Sequence, residues 1–332
     1  MIYDDHTDQQ SNGSAKPGGT ALDYLAIARF DHSTKHIFIV PGLVLAYLLR
    51  GVRTEFLIKN IALGLLAAIC IASANYVINE WLDRDFDKHH PTKSQRSAVQ
   101  RELRGNIVVF EWLVFLAVGL CSAYGSSKLM FLVVCIFALQ GIVYNVPPLR
   151  TKDKPYIDVI SESINNPLRL IIGWVMVDPT TLPPGSIILS YWLGGAFLMA
   201  AKRLCEYREI TADHDSLLLE RYRASFAGYS ETSLSVSCFV YGMLSSFFLA
   251  IFLIKYRIEY ILLMPLITIL FAHYFALSMQ PGSSAQAPEK LFRERGLVLL
   301  VVLISSIFVL TTFIDFPALE AFTGQRYISV RW

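Results

Sequence analysis

Apolar residues in this chain do not follow the short alternations of a water-soluble fold. They gather into runs close to the roughly 20 residues a helix needs to cross the hydrocarbon core of a bilayer. Nine such runs can be marked, at approximately 36–52, 56–79, 106–125, 128–146, 156–177, 186–204, 233–254, 258–279 and 296–316. Pro41, Asn75, Asn165-Asn166-Pro167 and Pro265 fall inside them, which lipid-embedded helices tolerate when neighbouring helices satisfy the freed backbone groups. The pattern predicts an all-α, polytopic integral membrane protein with nine transmembrane helices and the lipid bilayer as its surroundings. The first 22 residues are polar and glycine-rich, with no apolar core behind a basic flank, so they read as neither signal nor span. We expect a disordered tail over 1–22 and a single transmembrane domain over 23–332.

Composition agrees and narrows the function classes. Hydrophobic residues make up 54% and charged residues 17%, with a mean hydropathy of +0.46, which excludes a soluble domain. A net charge of +2 gives no electrostatic footprint for nucleic acid. The five cysteines show no CxxC or Cys/His metal spacing and are expected to be buried thiols. Most of the 29 Lys and Arg residues fall on the side that nine spans assign to the N-terminus. The positive-inside rule then places the N-terminus and the charged loops in the cytoplasm and the C-terminus outside, as in a multi-pass protein of the cell (inner) membrane. Homo-oligomer formation is left open.

The strongest chemical signal is NEWLDRDFDKHHPTKSQR at 79–96, where a long apolar helix turns into dense charge. Asn79, Asp83 and Asp87 recur every four residues, so on a continuing helix they form a ladder along one face, about 6 Å per step. Glu80 and Asp85 are expected on other faces. Such oxygen ligands suit Mg²⁺, which takes one or two carboxylates and completes its octahedron with water and substrate phosphate oxygens. A metal-bridged diphosphate follows more readily than a closed protein cage. His90, Lys93 and Arg96 come next and are placed to grip the same diphosphate. A solvated, charge-balanced loop would need no such regular ladder, and a carboxylate at membrane depth is a functional residue by default. A transporter has no use for a metal-diphosphate ladder beside cations, and the span pattern shows no inverted repeat.

Asn79-x-x-x-Asp83-x-x-x-Asp87 with His90-Pro91-x-Lys93-x-x-Arg96 resembles the first Asp-rich motif of the UbiA superfamily of intramembrane prenyltransferases. Tyr144-Asn-Val-Pro147-Pro148-Leu-Arg150-x-Lys152 is similar to that superfamily's Tyr-x-x-Pro-Pro-x-Arg-x-Lys loop. The resemblance implies nine helices around a central cavity, a Mg²⁺-diphosphate site at the cytoplasmic face, and transfer of a group that leaves pyrophosphate. It makes Asn79, Asp83 and Asp87 the metal-binding and catalytic residues and adds Tyr144, Arg150 and Lys152 to the substrate site.

The superfamily's prenyltransferases usually carry a second Asp-rich motif after the sixth span. Here that stretch reads AAKRLCEYREITADHD, with Lys202, Arg203 and Glu206 in place of the second Asp pair. This departure looks like the decaprenyl-phosphate phosphoribosyltransferase branch, to which Lys35, Asp158 and Arg169 are also similar. That branch implies phosphoribosyl pyrophosphate as donor and a polyprenyl phosphate as acceptor, with Lys35, Asp158, Arg169, Lys202, Arg203 and Glu206 as substrate contacts. Trading acids for Lys202 and Arg203 fits a donor and acceptor that each carry a further phosphate. Glu206 could instead pair with Arg203 or Lys202 and hold the loop, and Asp158 and Arg169 could form a structural salt bridge. Pro147-Pro148 and the segment 161–167 are less typical of this branch. They keep open transfer of an isoprenyl group from a prenyl diphosphate to an aromatic or other small acceptor.

Overall fold

The computed structural model describes residues 16–88, 93–213, 219, 223–280 and 294–319. Among these the chain is helical, with one isolated bridge between Gly18 and Glu102. The helices are α1 (Ala21–Ile27), α2 (Val40–Arg50), α3 (Leu57–Asp87), α4 (Ser97–Gln100), α5 (Gly105–Ser126), α6 (Lys128–Asn145), α7 (Ile157–Ser163), α8 (Asn165–Val177) and α9 (Gly185–Asp213). They continue with α10 (Glu231–Tyr256), α11 (Met264–Ser278) and α12 (Arg295–Phe313). Among the described residues eight stretches are long and apolar enough to cross a membrane. Large apolar side chains such as Phe110, Phe239, Phe247, Leu299 and Phe313 face outward, a surface suited to lipid and not to water. The protein is a multi-pass membrane protein.

The run expected at 156–177 is not one of the eight. It divides at Ile164 into α7 and α8, because Pro167 has no N–H to give the carbonyl four residues earlier. The ladder resumes where Leu168 N donates to Ile164 O at 3.2 Å. Proline also explains the first and eighth runs. Pro41 and Pro265 each sit in the first turn of an α-helix, and the turns before them, Phe30–Ile39 and Ile258–Leu263, are wound as 3₁₀ helix. A proline ring is accommodated in a first turn, where its missing N–H has no partner to lose.

Order begins earlier than the expected tail allows. Residues 1–15 lie outside the described part, but Lys16 bonds Val99 O and Gly19 N donates to Glu102 O at 3.1 Å. The first membrane-crossing stretch accordingly runs from Ala21 to Arg50. Cys70, Cys205 and Cys238 are buried as expected, whereas Cys121 is exposed on the outward face and Cys135 is half-buried.

Two apolar clusters hold the bundle. One joins α3, α6 and α8 through Ile71, Val134, Phe137, Ile172 and Met176. The other joins α9 to α12 through Leu204, Leu234, Tyr274 and Leu297. Between lipid-embedded helices, close packing of small residues replaces the hydrophobic drive. A Cβ on Gly42 would lie 1.9 Å from Leu170 O, and one on Gly173 would lie 2.0 Å from Ile39 O, so two glycines let α2 and α8 touch backbone to backbone. Gly173→Ala is expected to cost about 1–3 kcal/mol by forcing the helices apart. Gly185→Ala meets nothing within 4 Å and should be neutral. Thermal unfolding in detergent checks both, and equal midpoints would show that the crossing has slack.

Candidate active site

The helix that carries the acidic ladder is 31 residues long and remains α-helical to Asp87. It lines a cavity of about 850 Å³ whose walls include the polar Asn79, Glu80, Asp83 and Asp87 and the apolar Ile187, Leu270, Phe271 and Val298. Glu80 was expected to face away from the ladder. Instead it lines the cavity and is 4% exposed, because Tyr76, Glu80, Asp83 and Asp87 stand at i, i+4, i+7 and i+11, the stripe that stays on one face of a 3.6-residue helix. Asp85 does point elsewhere, to an exposed pair with Lys88.

Each acid on the stripe is met by cations from other segments. Asp83 pairs with Arg150 at 2.9 Å and Lys152 at 2.6 Å, and it accepts from Asn79 Nδ2 at 3.2 Å. Asp87 pairs with Arg96 at 2.8 Å. Glu80 lies 2.8 Å from Arg29 and 3.5 Å from Arg96. The loop after α6 delivers Arg150 and Lys152 through a cis Pro147–Pro148 bond and a positive φ of 27° at Arg150, and Lys152 also donates to Asn145 Oδ1 at 2.9 Å. Arg29 reaches Glu80 from a left-handed backbone, φ 53°. Non-glycine residues held there are strained, and such strain gathers at functional sites. Burial pushes the Lys152 amine down to about 8, with Asp83 opposing that shift.

The segment after the sixth long run behaves differently from the expectation that it contacts substrate throughout. Arg203 is 2% exposed, and each guanidinium nitrogen takes its own acid: Nε to Asp158 at 3.2 Å, Nη1 to Glu206 at 2.9 Å and Nη2 to Glu162 at 2.9 Å. Asp158 also pairs with Arg223 at 3.3 Å and accepts from Ser225 at 3.1 Å and Tyr229 at 2.5 Å. Tyr144 donates to Glu162 at 2.7 Å and accepts from Arg223 at 2.9 Å. These contacts sew the 223–229 segment to α7 and α9. Asp158 and Glu206 are absent from the cavity wall, so their geometry is that of a clamp. Burying an acid without a partner is costly, and Arg203 is the partner all three acids share.

Lys202, one residue before the clamp, lines the cavity and makes no ion pair within 4 Å among the described residues. Lys35 also lines the cavity, with its amine 5.4 Å from the Tyr76 ring centroid. Lys93, Arg96, Tyr144 and Arg169 also line it, as do Glu162, Arg203 and Arg223 of the clamp. His90 lies outside the described residues. Glu162, Arg223 and Asn165 were not singled out as site residues from the sequence. The first two follow an ion-pair logic that only the packing of α7 against α9 reveals.

The residues 38–315 match the profile of the UbiA prenyltransferase family. The chain belongs to that family. Among curated relatives it is 24% identical to nodulation protein NoeC of Azorhizobium caulinodans, over 54% of this chain and 57% of that protein. It is 27% identical to lycopene elongase/hydratase of Haloarcula japonica, over 47% of this chain and 51% of that protein. The chain thus spans just over half the length of the curated relatives it matches. Its fold is shared with a UbiA homologue from Archaeoglobus fulgidus bound to GPP and Mg²⁺, at a TM-score of 0.65 and 21% identity, covering 87% of this chain and 99% of that one. The same homologue bound to DMAPP and Mg²⁺ gives a TM-score of 0.64 at 19% identity, covering 88% of this chain and all of the other. Family members are transferases of the prenyl-transfer type.

The donor set of this chain fits a metal of the kind those structures hold. Among the described residues no three His, Cys, Asp or Glu side chains are gathered to hold an ion by themselves. Asn79, Asp83 and Asp87 all reach the cavity, and Mg²⁺ needs only one or two carboxylates when substrate phosphate oxygens supply the rest.

Proposed function

We propose that this family member is a Mg²⁺-dependent transferase that moves the phosphoribosyl group of phosphoribosyl pyrophosphate onto a polyprenyl, decaprenyl-type phosphate. It would form one catalytic domain over 23–332 in the cell (inner) membrane, with its N-terminus and site facing the cytoplasm. The observation that carries the reading is an asymmetry among the polar residues of the cavity. Glu80, Asp83 and Asp87 line it from α3, the one other acid of the lining, Glu162, is held by Arg203 and Tyr144, and Lys202 stands where a second metal-binding acid pair would be needed for a prenyl diphosphate held by two metal clusters.

Asn79, Asp83 and Asp87 would hold Mg²⁺, which offsets the charge that builds on departing pyrophosphate. Arg96, Arg150, Lys152 and Lys93 then serve the diphosphate oxygens, already within ion-pair reach of the ladder or beside it. The bond from the anomeric carbon to the pyrophosphate oxygen breaks, with its electron pair leaving on pyrophosphate. An oxygen of the lipid phosphate, already anionic, forms the new bond without a strong general base.

The second reading, prenyl transfer to an aromatic or other small acceptor, is favoured by the apolar part of the cavity lining, to which Leu198, Leu270, Phe271, Val301 and Val302 belong and which suits a hydrocarbon chain. One experiment separates the two. Purified protein with Mg²⁺ receives either labelled phosphoribosyl pyrophosphate and decaprenyl phosphate, or geranyl diphosphate and 4-hydroxybenzoate. Label in the lipid fraction from the first mixture supports phosphoribosyl transfer, and prenylated aromatic from the second sinks it.

Lys93 adds a pH prediction. Burial pushes its amine down to about 7, Lys202 and Arg96 push the same way, and Glu206 and Asp87 oppose. A diphosphate is gripped by the protonated amine, so donor kcat/KM, which reports the free enzyme, is expected to fall as pH rises through about 7–8. Lys93→Arg keeps its charge and should carry the decline to higher pH. An unchanged profile would remove Lys93 from the donor site.

A further inference from the structure

Arg169 differs from Lys152 and Arg203, the other buried cations among the described residues, each of which is met by at least one acid. It is 6% exposed and lines the cavity, yet it forms no ion pair with any carboxylate among the described residues. Its Nε is buried with no hydrogen-bond partner. Its one hydrogen bond is a long one, 3.4 Å, from Nη1 to the backbone oxygen of Asn165 in its own helix, and its guanidinium rests over the Phe137 ring at 5.4 Å. The Asp158 salt bridge open to it from the sequence is not formed, since Asp158 is held by Arg203 and Arg223. Arg169 lies in the first turns of α8, inside the bundle, and a charge there faces an interior cavity or a partner.

Its surroundings are also unfinished. Asn165 Oδ1 and His36 Nδ1 are buried without partners, and the broken turn before Pro167 puts Asn165 on the cavity wall. Among the described residues His36 and Tyr76 are the titratable groups that interact with Arg169, Lys35 stands over the Tyr76 ring, and none is an acid. Native proteins leave few buried polar groups unsatisfied, so Arg169 and Asn165 on one cavity wall call for a ligand.

We propose that Arg169, Asn165 and Lys35 form a second anion subsite, which takes a phosphate or carboxylate and an accompanying hydroxyl carried by substrate, apart from the diphosphate. Position sets the spacing. Tyr76, beside Arg169 and Lys35, precedes Asp83 by seven residues on one face of α3, roughly 10 Å along the axis. A nucleophilic oxygen must come within roughly 3–3.5 Å of the reacting carbon, so this anion is not the attacking group. It is carried about one ring's length away. Two substrates of the proposed reactions meet that condition: the 5-phosphate of a phosphoribosyl donor, and the carboxylate of an aromatic acceptor.

The proposal rests on the diphosphate reading of the ladder, and fragment binding tests the two separately. Full-length protein in detergent is first titrated with pyrophosphate and Mg²⁺, then, loaded, with ribose 5-phosphate or with 4-hydroxybenzoate. Wild type is expected to bind one fragment. Arg169→Met should weaken that binding roughly tenfold or more, as loss of a charge-assisted hydrogen bond does, Arg169→Lys should weaken it less, and pyrophosphate affinity should stay within about twofold. Binding of ribose 5-phosphate assigns the anion to the donor sugar, and binding of 4-hydroxybenzoate assigns it to the acceptor. Because the charge has no partner in the free protein, Arg169→Met should unfold at or above the wild-type temperature. Fragment affinity unchanged in Arg169→Met, no fragment binding to loaded wild type, or a lowered unfolding temperature overturns the subsite. Wild type that fails to bind pyrophosphate with Mg²⁺ overturns the diphosphate reading itself.

Discussion

Asp83→Asn and Asp87→Asn are each expected to lower turnover by roughly 100–1000-fold or more at saturating Mg²⁺, the scale on which preorganised charge at a leaving group acts. The two differ in what else they disturb. Asp83 faces both Arg150 and Lys152, and Lys152 is 4% exposed, so Asp83→Asn leaves a buried amine with only a neutral partner. Asp87 is met by Arg96, whose side chain is 24% exposed and retains Glu80 as neighbour. Asp87→Asn should therefore lose activity with less loss of stability. Asp85→Asn is the control on the same turn, since Asp85 faces outward in a surface pair with Lys88, which is worth little. Turnover and unfolding temperature measured together separate the effects, and near-normal turnover in both Asp83→Asn and Asp87→Asn would end the metal role.

The site was legible to the extent that its chemistry follows helical spacing. Asn79, Asp83 and Asp87 are a local pattern, and their convergence on one cavity needs only that α3 continue unbroken to its polar end. The second motif was legible as a string, but its purpose was not. Arg150 and Lys152 both fold back onto Asp83, 67 and 69 residues away in sequence, through a reversal that no periodicity encodes. Glu80 was misplaced because a strict four-residue step hides the alternation of three and four that keeps a stripe on one helix face.

Apolar length found the spans and missed the break in one of them. The run at 156–177 is apolar enough to read as one helix, and Pro167 reads as a tolerated kink. The interruption at Ile164 instead creates the place where Asn165 and Arg169 meet the cavity. Residue type could not distinguish Lys202 from Arg203 either. Neighbours on a helix point about 100° apart, and although both reach the cavity wall, Arg203 is taken by three acids while Lys202 makes no ion pair within 4 Å among the described residues.

Arg203→Met is accordingly expected to act on folding before it acts on substrate. The substitution removes the cation shared by Asp158, Glu162 and Glu206, of which Asp158 has no exposure at all. Breaking a buried ion pair from one side costs about 3–5 kcal/mol, because the remaining charge is left uncompensated, a large share of the stability of an ordinary domain. A rise in KM alone, the effect expected were Arg203 a substrate contact, is not anticipated. Arg203→Lys should recover only part, since a single ammonium cannot present three nitrogens to three acids in a fixed fork. Arg203→Met with Glu206→Gln removes one of the three acids along with the cation they share and should be more stable than Arg203→Met alone, with a coupling of about 0.5–3 kcal/mol. Unfolding in detergent reads all three variants. Strict additivity in the double variant, or a wild-type midpoint for Arg203→Met, would make Arg203 a substrate contact and leave the 223–229 segment held by Arg223, Ser225 and Tyr229 on Asp158.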